Sequence, residues 1–296
     1  MPLPGSVVGI LLAVTATACF ATLDTSTKVA GASVPVVMAL WFRYAFQAWS
    51  TTAAIVPSRG FRALRTTHWR FQCLRGLLLV MTSVFSFFSL RHMPVGEFTA
   101  IAMVTPLAIT LLAATVLKEQ VSPLRWMLVA GGFGGTLLVL RPGGDSFGWA
   151  ILLPLGLVLS NAWFQVLTSR LAQTEDPMVM QFYSGWVGTL LTSGLLPFVW
   201  VTPDKGSVWL ALGLMGLMGT VGHYLLTLAY GRTPASTLMP FLYSQIGFAM
   251  LAGWIMFSHV PDSTSVTGMV LIAICGGLGA WLTVRESRIV VQPAES

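Results

Sequence analysis

The chain has 296 residues, 55% of them apolar and 9% charged, with a mean hydropathy of +0.79 and a formal charge of +6 at neutral pH. So much apolar surface with so few charges excludes an ordinary soluble domain and makes a lipid bilayer the natural solvent. The positive balance has to be read by position, and it gives no ground for nucleic acid as a partner.

A bilayer core of about 30 Å takes roughly 20 helical residues, and the chain supplies ten apolar runs of that kind, near 6–30, 35–56, 73–91, 94–117, 122–140, 147–169, 178–200, 207–230, 235–257 and 264–284. The predicted fold class is therefore an all-α integral membrane protein with ten transmembrane helices. The first run is too long, and too poor in basic residues at its start, to resemble a cleaved signal peptide. Cys19, Cys73 and Cys275 are scattered and show no CxxC spacing, so they predict neither a disulfide framework nor a metal site, and no cofactor is implied.

Connections are short. The longest, Pro57 to Gln72, alternates Arg59, Arg62 and Arg65 with Phe61, Leu64 and Trp69, which suits either a short helix at the inner headgroup surface or a basic loop that only sets topology. With the N-terminus inside, eleven basic residues, among them Arg70, Arg75, Lys118, Arg125, Arg170, Arg232, Arg285 and Arg288, fall on the inner side, against four outside. That asymmetry predicts both termini in the cytoplasm. Glycines cluster in the fifth run (Gly131, Gly132, Gly134, Gly135) and the tenth (Gly276, Gly277, Gly279), surfaces for tight helix packing within the chain or for self-association. The segment Arg141–Gly148 joins the halves, and the tail after Arg285 is polar.

The chain is also written twice. Trp69, Gly76 and Pro94 recur as Trp209, Gly216 and Pro234, 140 residues later, and Lys28 and Pro35 have counterparts in Arg170 and Pro177, 142 residues on. The predicted domains are two five-helix repeats, 1–143 and 144–296. Five is odd, so the second copy enters the membrane upside down. Inverted repeats are characteristic of transporters that alternate access about a site at the repeat interface; duplication that merely builds a larger bundle is the other outcome.

Pro94 opening the fourth helix, Thr105-Pro106 in its middle, Leu117-Lys118-Glu119 at its inner end and the glycine-rich fifth helix resemble the signature of the drug/metabolite transporter superfamily, in its EamA-like module. The second copy echoes this with Pro234, Gln245 and the glycines of the tenth helix. It departs at Ile246, where a proline would stand, and at Ser258-His259, where the glutamate-bearing end would be. Within the superfamily the chain looks most like bacterial inner-membrane exporters of amino acids and related metabolites, the aromatic amino acid branch in particular. The resemblance implies outward export by alternating access, with the cavity lined by helices 1–4 and 6–9.

Polar groups inside lipid are costly, so aligned ones mark a protein-facing or water-facing stripe. Thr15, Cys19, Thr22 and Ser26 share one face of the first helix, and Asn161, Gln165 and Thr168 hold the related positions of the sixth. Thr220, His223 and Thr227 follow in the eighth, with His223 mapping onto Ser83 of the third; Thr237, Ser244 and Gln245 follow in the ninth, with Gln245 mapping onto Thr105. Asn161, Gln165, His223, Ser83, Thr22, Ser244 and Gln245 are candidates to line a central cavity, although interhelical hydrogen bonding accounts for such groups as well. Trp163 and Tyr243 are candidate contacts for an apolar or aromatic substrate side chain.

Three charges sit within spans: Asp24, Arg43 and Glu97. Arg43 at that depth needs a partner, either Asp24 in an ion pair or a substrate carboxylate, for which a guanidinium fork is suited. Pro106 and Pro240 interrupt the fourth and ninth helices and offer bend points or static kinks. The predicted partners are a small-molecule substrate, neutral amino acids first, and lipid. A membrane enzyme would need clustered catalytic groups, and His68, His92, His223 and His259 lie in separate segments. A phosphate carrier would want several buried cations, and only Arg43 reads as deep. Asp24 and Glu97 keep open an exporter of small cationic drugs.

Overall fold

A computed structural model describes residues 5–92, 101–140, 152–257 and 263–290. Among these, helices fall where the apolar runs are: α1 (Gly5–Gly31), α2 (Val36–Arg59), α3 (Trp69–His92), α4 (Thr105–Thr115), α5 (Pro123–Leu140), α6 (Leu152–Leu171), α7 (Pro177–Ser193), α8 (Gly206–Tyr230), α9 (Ala235–Leu242), α10 (Ser244–Phe257) and α11 (Ser263–Val290). Five described stretches are long and apolar enough to cross a membrane, at 5–31, 69–89, 152–171, 206–230 and 235–252; Thr105–Thr115 and Val266–Gly279 are shorter apolar helices. Glu97, Pro94, Ser258-His259, the Arg141–Gly148 joint and the extreme tail lie outside the described residues.

Local chemistry sets the helix ends. Pro177 opens α7 where a missing N–H costs nothing, and the Asp176 carboxylate caps it by accepting from Met178 N at 2.7 Å. Gly60, at φ 72°, closes α2 in a conformation other residues rarely adopt. The basic connection that follows forms one 3₁₀ turn, Phe61–Leu64, and not an amphipathic surface helix. Arg59 at the end of α2 pairs with Asp176 at 2.7 Å, and His68 and Thr66 of the connection reach Glu175 at 2.8 and 2.7 Å, so this stretch also binds the start of α7.

The helices pack mainly across the two copies. α1 lies on α8 and α3 on α6; α2 lies on α7, α4 on α9 and α5 on α11; α1 also meets α9 and α10, while α6 meets α4. Each contact has its counterpart when the copies are exchanged. Small residues permit this. A Cβ on Gly185 of α7 would stand 2.7 Å from Ala48 N of α2, and one on Gly188 would enter the Tyr44 ring. Gly131 and Gly135 of α5 likewise meet Cys275, Ile272 and the Gly268 carbonyl of α11, so the described contacts of these glycines are made within the chain.

The fourth and ninth spans are broken. A turn at Met103–Val104 precedes α4, and Pro106 sits in the first turn after it, where proline is tolerated. Tyr243 separates α9 from α10, three residues beyond Pro240. The prolines therefore flank the interruptions and do not themselves mark them. Met103 and Tyr243 stand at the repeat offset of 140, and the Tyr243 hydroxyl donates to the Met103 carbonyl at 3.4 Å.

The tight α2–α7 seam makes Gly185→Val an overpacking change expected to cost about 1–3 kcal/mol, read as a lower midpoint of thermal unfolding in detergent. Gly213→Ala, which meets nothing within 4 Å, should leave the midpoint unchanged or raise it.

Candidate functional site

Arg43 projects from α2 into the space between α3 and α8. One guanidinium nitrogen, Nη1, donates to Ser83 Oγ at 2.8 Å, and the other, Nη2, lies 3.1 Å from His223 Nε2. A guanidinium has only donors, so the imidazole nitrogen accepts. The side chain is 9% exposed, Ser83 7% and His223 8%, so each keeps a sliver of accessible surface in an otherwise closed interior. Gly219 of α8 makes the room: a Cβ there would stand 3.2 Å from Arg43 Nε. That Nε is buried without a hydrogen-bond partner.

Around this contact stand aromatic groups. Phe20 of α1 and Phe164 of α6 face His223 with ring centroids 4.8 and 5.5 Å away, and Tyr44 lies under the Arg43 guanidinium at 5.3 Å. The Tyr44 hydroxyl reaches the Leu79 carbonyl at 3.0 Å and Ser83 Oγ at 2.8 Å. One turn further along, Gln47 donates to Gln181 Oε1 at 2.7 Å, Gln181 donates to Thr227 Oγ1 at 3.2 Å, and Thr227 donates to the His223 carbonyl at 2.7 Å. A continuous polar layer thus crosses α2, α3, α7 and α8.

Arg75 corrects the reading of the inner charges. It lies in the second turn of α3, is fully buried, and donates to the Met180 carbonyl and, at 3.4 Å, to Thr168 Oγ1. Its guanidinium sits 5.4 Å from the Phe164 ring. Among the described residues, the interior therefore holds two deep cations, not one. The signal was present: Gln72, Arg75, Leu79 and Ser83 form a stripe at helical spacing, and all are buried.

The expected Asp24–Arg43 ion pair does not form. Asp24 Oδ2 accepts from Gln245 Nε2 at 2.8 Å, a contact open to the surface that joins α1 to α10, while Arg43 turns to Ser83 and His223. Depth along two helices placed the charges near one another but left their directions undecided.

The remaining candidates divide. Gln165 is buried with its Oε1 unpartnered; Asn161 is half-buried. Trp163 is 45% exposed and continues the exposed Leu155 and Leu159 stripe, which places it on the outer surface of α6. Tyr243 is fully buried against Gly132, at the helix break. Thr15, Thr22 and Ser26 spend their hydroxyls on carbonyls of their own helix. The hydroxyl that crosses from α1 is Thr17, 2.8 Å from Ser244, a residue the polar stripe passed over.

The family model described as "EamA-like transporter family" matches residues 7–141 and again 148–282. A riboflavin transporter of Rhizobium johnstonii is 30% identical over 270 residues, 90% of this chain and 89% of that protein. An S-adenosylmethionine uptake transporter of Rickettsia prowazekii is 26% identical over 84% of each chain, and the pseudopaline exporter of Pseudomonas aeruginosa is 25% identical over 90% of this chain and 93% of its own. One solved crystal structure superimposes with a TM-score of 0.80 at 21% identity, covering 94% of this chain and 98% of the other, a likeness of fold. With two matches of its module between residues 7 and 282, the chain belongs to the EamA-like transporter family.

Proposed function

We propose that the protein moves small amphiphilic metabolites, aromatic and other neutral amino acids among them, across the bacterial inner membrane by alternating access between two inverted five-helix repeats. The observation that carries this reading is the polar layer of Arg43, Ser83 and His223, faced by Phe20 and Phe164, which is drawn from both copies and enclosed in apolar helices. Such a layer offers hydrogen bonds at its centre and ring faces around them, which suits a solute with a polar head and a flat side chain. Family membership supports transport of a small molecule. The direction of movement and both termini in the cytoplasm follow from the resemblance to exporters and from the distribution of basic residues. A second reading, a planar heteroaromatic substrate, is favoured by the similarity to proteins named riboflavin transporters, at 30% and 28% identity.

The contacts at the helix ends assigned to the cytoplasm support a closed inner side in this reading. Glu119, beyond the end of α4, accepts from Ala235 N at 3.1 Å, Ser236 N at 3.0 Å and Ser236 Oγ at 2.6 Å. A carboxylate from the first copy thereby caps a helix of the second, satisfying donors that α9 cannot satisfy itself. Arg125 adds a bond to Thr237, and Gln173 donates to the Tyr230 carbonyl at 2.7 Å. The Glu119 and Arg125 bonds join the two copies between the end of α4, the start of α5 and the start of α9, while the Gln173 bond ties α6 to α8 within the second copy.

Purified protein in proteoliposomes should take up labelled tryptophan, phenylalanine or riboflavin saturably, with each competing against the others. Uptake of none of them, in vesicles shown to hold folded protein, would sink the reading. Glu119→Ala should cost about 0.5–2 kcal/mol of stability, measured as a lower thermal midpoint, and should raise labelling of a reporter cysteine at Thr237 from the inner side. Unchanged labelling would remove Glu119 from the closure.

A further inference from the structure

Two guanidinium groups lie deep in the interior, and neither has a carboxylate within ion-pair distance among the described residues, whose ion pairs are Arg59–Asp176 and His68–Glu175. Every hydrogen-bond partner of Arg43 and Arg75 among the described residues is neutral: a serine hydroxyl, an imidazole, a threonine hydroxyl and a backbone carbonyl. Burying a cation without a counter-charge is costly, and hydrogen bonds to neutral groups recover only part of that cost. Both Nε atoms are, in addition, buried without a partner. Asp24, the carboxylate the sequence offered as a partner, gives its hydrogen bond to Gln245 instead. Arg75 and Ser83 are eight residues apart on α3, about 12 Å of helix rise, so the two cations stand at different depths beside Phe164 and His223.

We propose that Arg43 is the docking group for an oxyanion, a carboxylate or a phosphate, on the transported molecule, with the Phe20, His223 and Phe164 rings taking up its flat apolar part. The inference rests on the transport reading and narrows its substrate class. Arg43 offers a planar fork whose bonds to Ser83 and His223 can be exchanged for an anion at little geometric change, and a charge-assisted bond is the stronger one. Arg75 keeps the path electropositive on the side nearer the start of α3. The same field disfavours a cationic solute, which Asp24 at the surface-open end of α1 does not outweigh at the Arg43 position.

The test is equilibrium binding to the purified full-length protein in nanodiscs, with probes that differ only in the charged group. Tryptophan and indole-3-propionate carry the carboxylate and tryptamine lacks it; riboflavin 5′-phosphate carries a phosphate and riboflavin lacks it. We expect the anionic member of one set or the other to bind about tenfold or more tighter than its partner, and which set responds tells carboxylate from phosphate. The preference should vanish in Arg43→Gln, fall partway in Arg43→Lys, which keeps the charge without the fork, and survive in Arg59→Gln at the surface. Should Arg43→Gln fail to fold, Arg43→Lys carries the test, and a preference undiminished in it overturns the assignment. Equal binding within both sets, or binding of no anionic probe, also overturns it. Anion preference without uptake into vesicles would keep this site and sink the transport reading, whereas uptake without preference would do the reverse.

Discussion

A charged guanidinium in the middle of an apolar bundle is the constraint around which the interior is arranged. Placing arginine at the centre of a membrane helix costs about 2.5–3.5 kcal/mol on insertion scales, and the fold answers with a pocket made from three helices. Gly219 supplies the space, Ser83 and His223 supply the acceptors, and Tyr44 supplies a ring face. None of these comes from the helix that carries Arg43 except Tyr44. The arginine is therefore held only when α2, α3 and α8 are assembled, so that the solvation of one side chain and the packing of the bundle become a single problem.

The same logic explains why the contacts run between the copies. Within lipid, apolar side chains gain little by leaving the surrounding hydrocarbon, so association depends on close backbone approach and on polar bonds. Gly185 and Gly188 let α7 settle against α2, and Gly222 lets α8 settle against Phe20 of α1. Bonds then cross the α2–α7 seam, from Trp41 to Ser193 at 2.9 Å and from Trp186 to Thr52 at 3.0 Å, and the α3–α6 seam, from Thr82 to Ser160 at 3.0 Å. Helices that follow one another in sequence, such as α1 and α2, touch far less than partners from the other copy.

Helix positions and the duplication were legible because both are written in composition: apolar runs of membrane length, and Trp, Gly and Pro at a constant offset. Arg43, Ser83 and His223 were legible as polar groups where lipid forbids them. Direction was not. Trp163 and Phe164 are adjacent in sequence and equally apolar in context, yet one faces outward and the other faces His223, a choice made by the rotation of α6 against α3. Arg75 read as an inner-surface charge because its distance from the basic connection is short, and only the start of α3 at Trp69 places it beneath neighbours. Threonine hydroxyls looked like cavity lining, but a helix always offers them a carbonyl one turn back.

The helix breaks tie the site to motion. Met103 and Tyr243 occupy the same place in the two copies and meet through a hydrogen bond. Each break lies within one turn of a proline, Pro106 just after the first and Pro240 just before the second, so neither span runs as one continuous helix there. On one side of the breaks, α9 is clamped by Glu119; on the other, α10 carries Ser244 to Thr17 and Gln245 to Asp24. A bend at Tyr243 would therefore trade one set of bonds between the copies against the other while leaving α2, α7 and the Arg43 layer in place. On the transport reading proposed above, a solute held at Arg43 would meet that bend as a change in which end of its pocket is sealed.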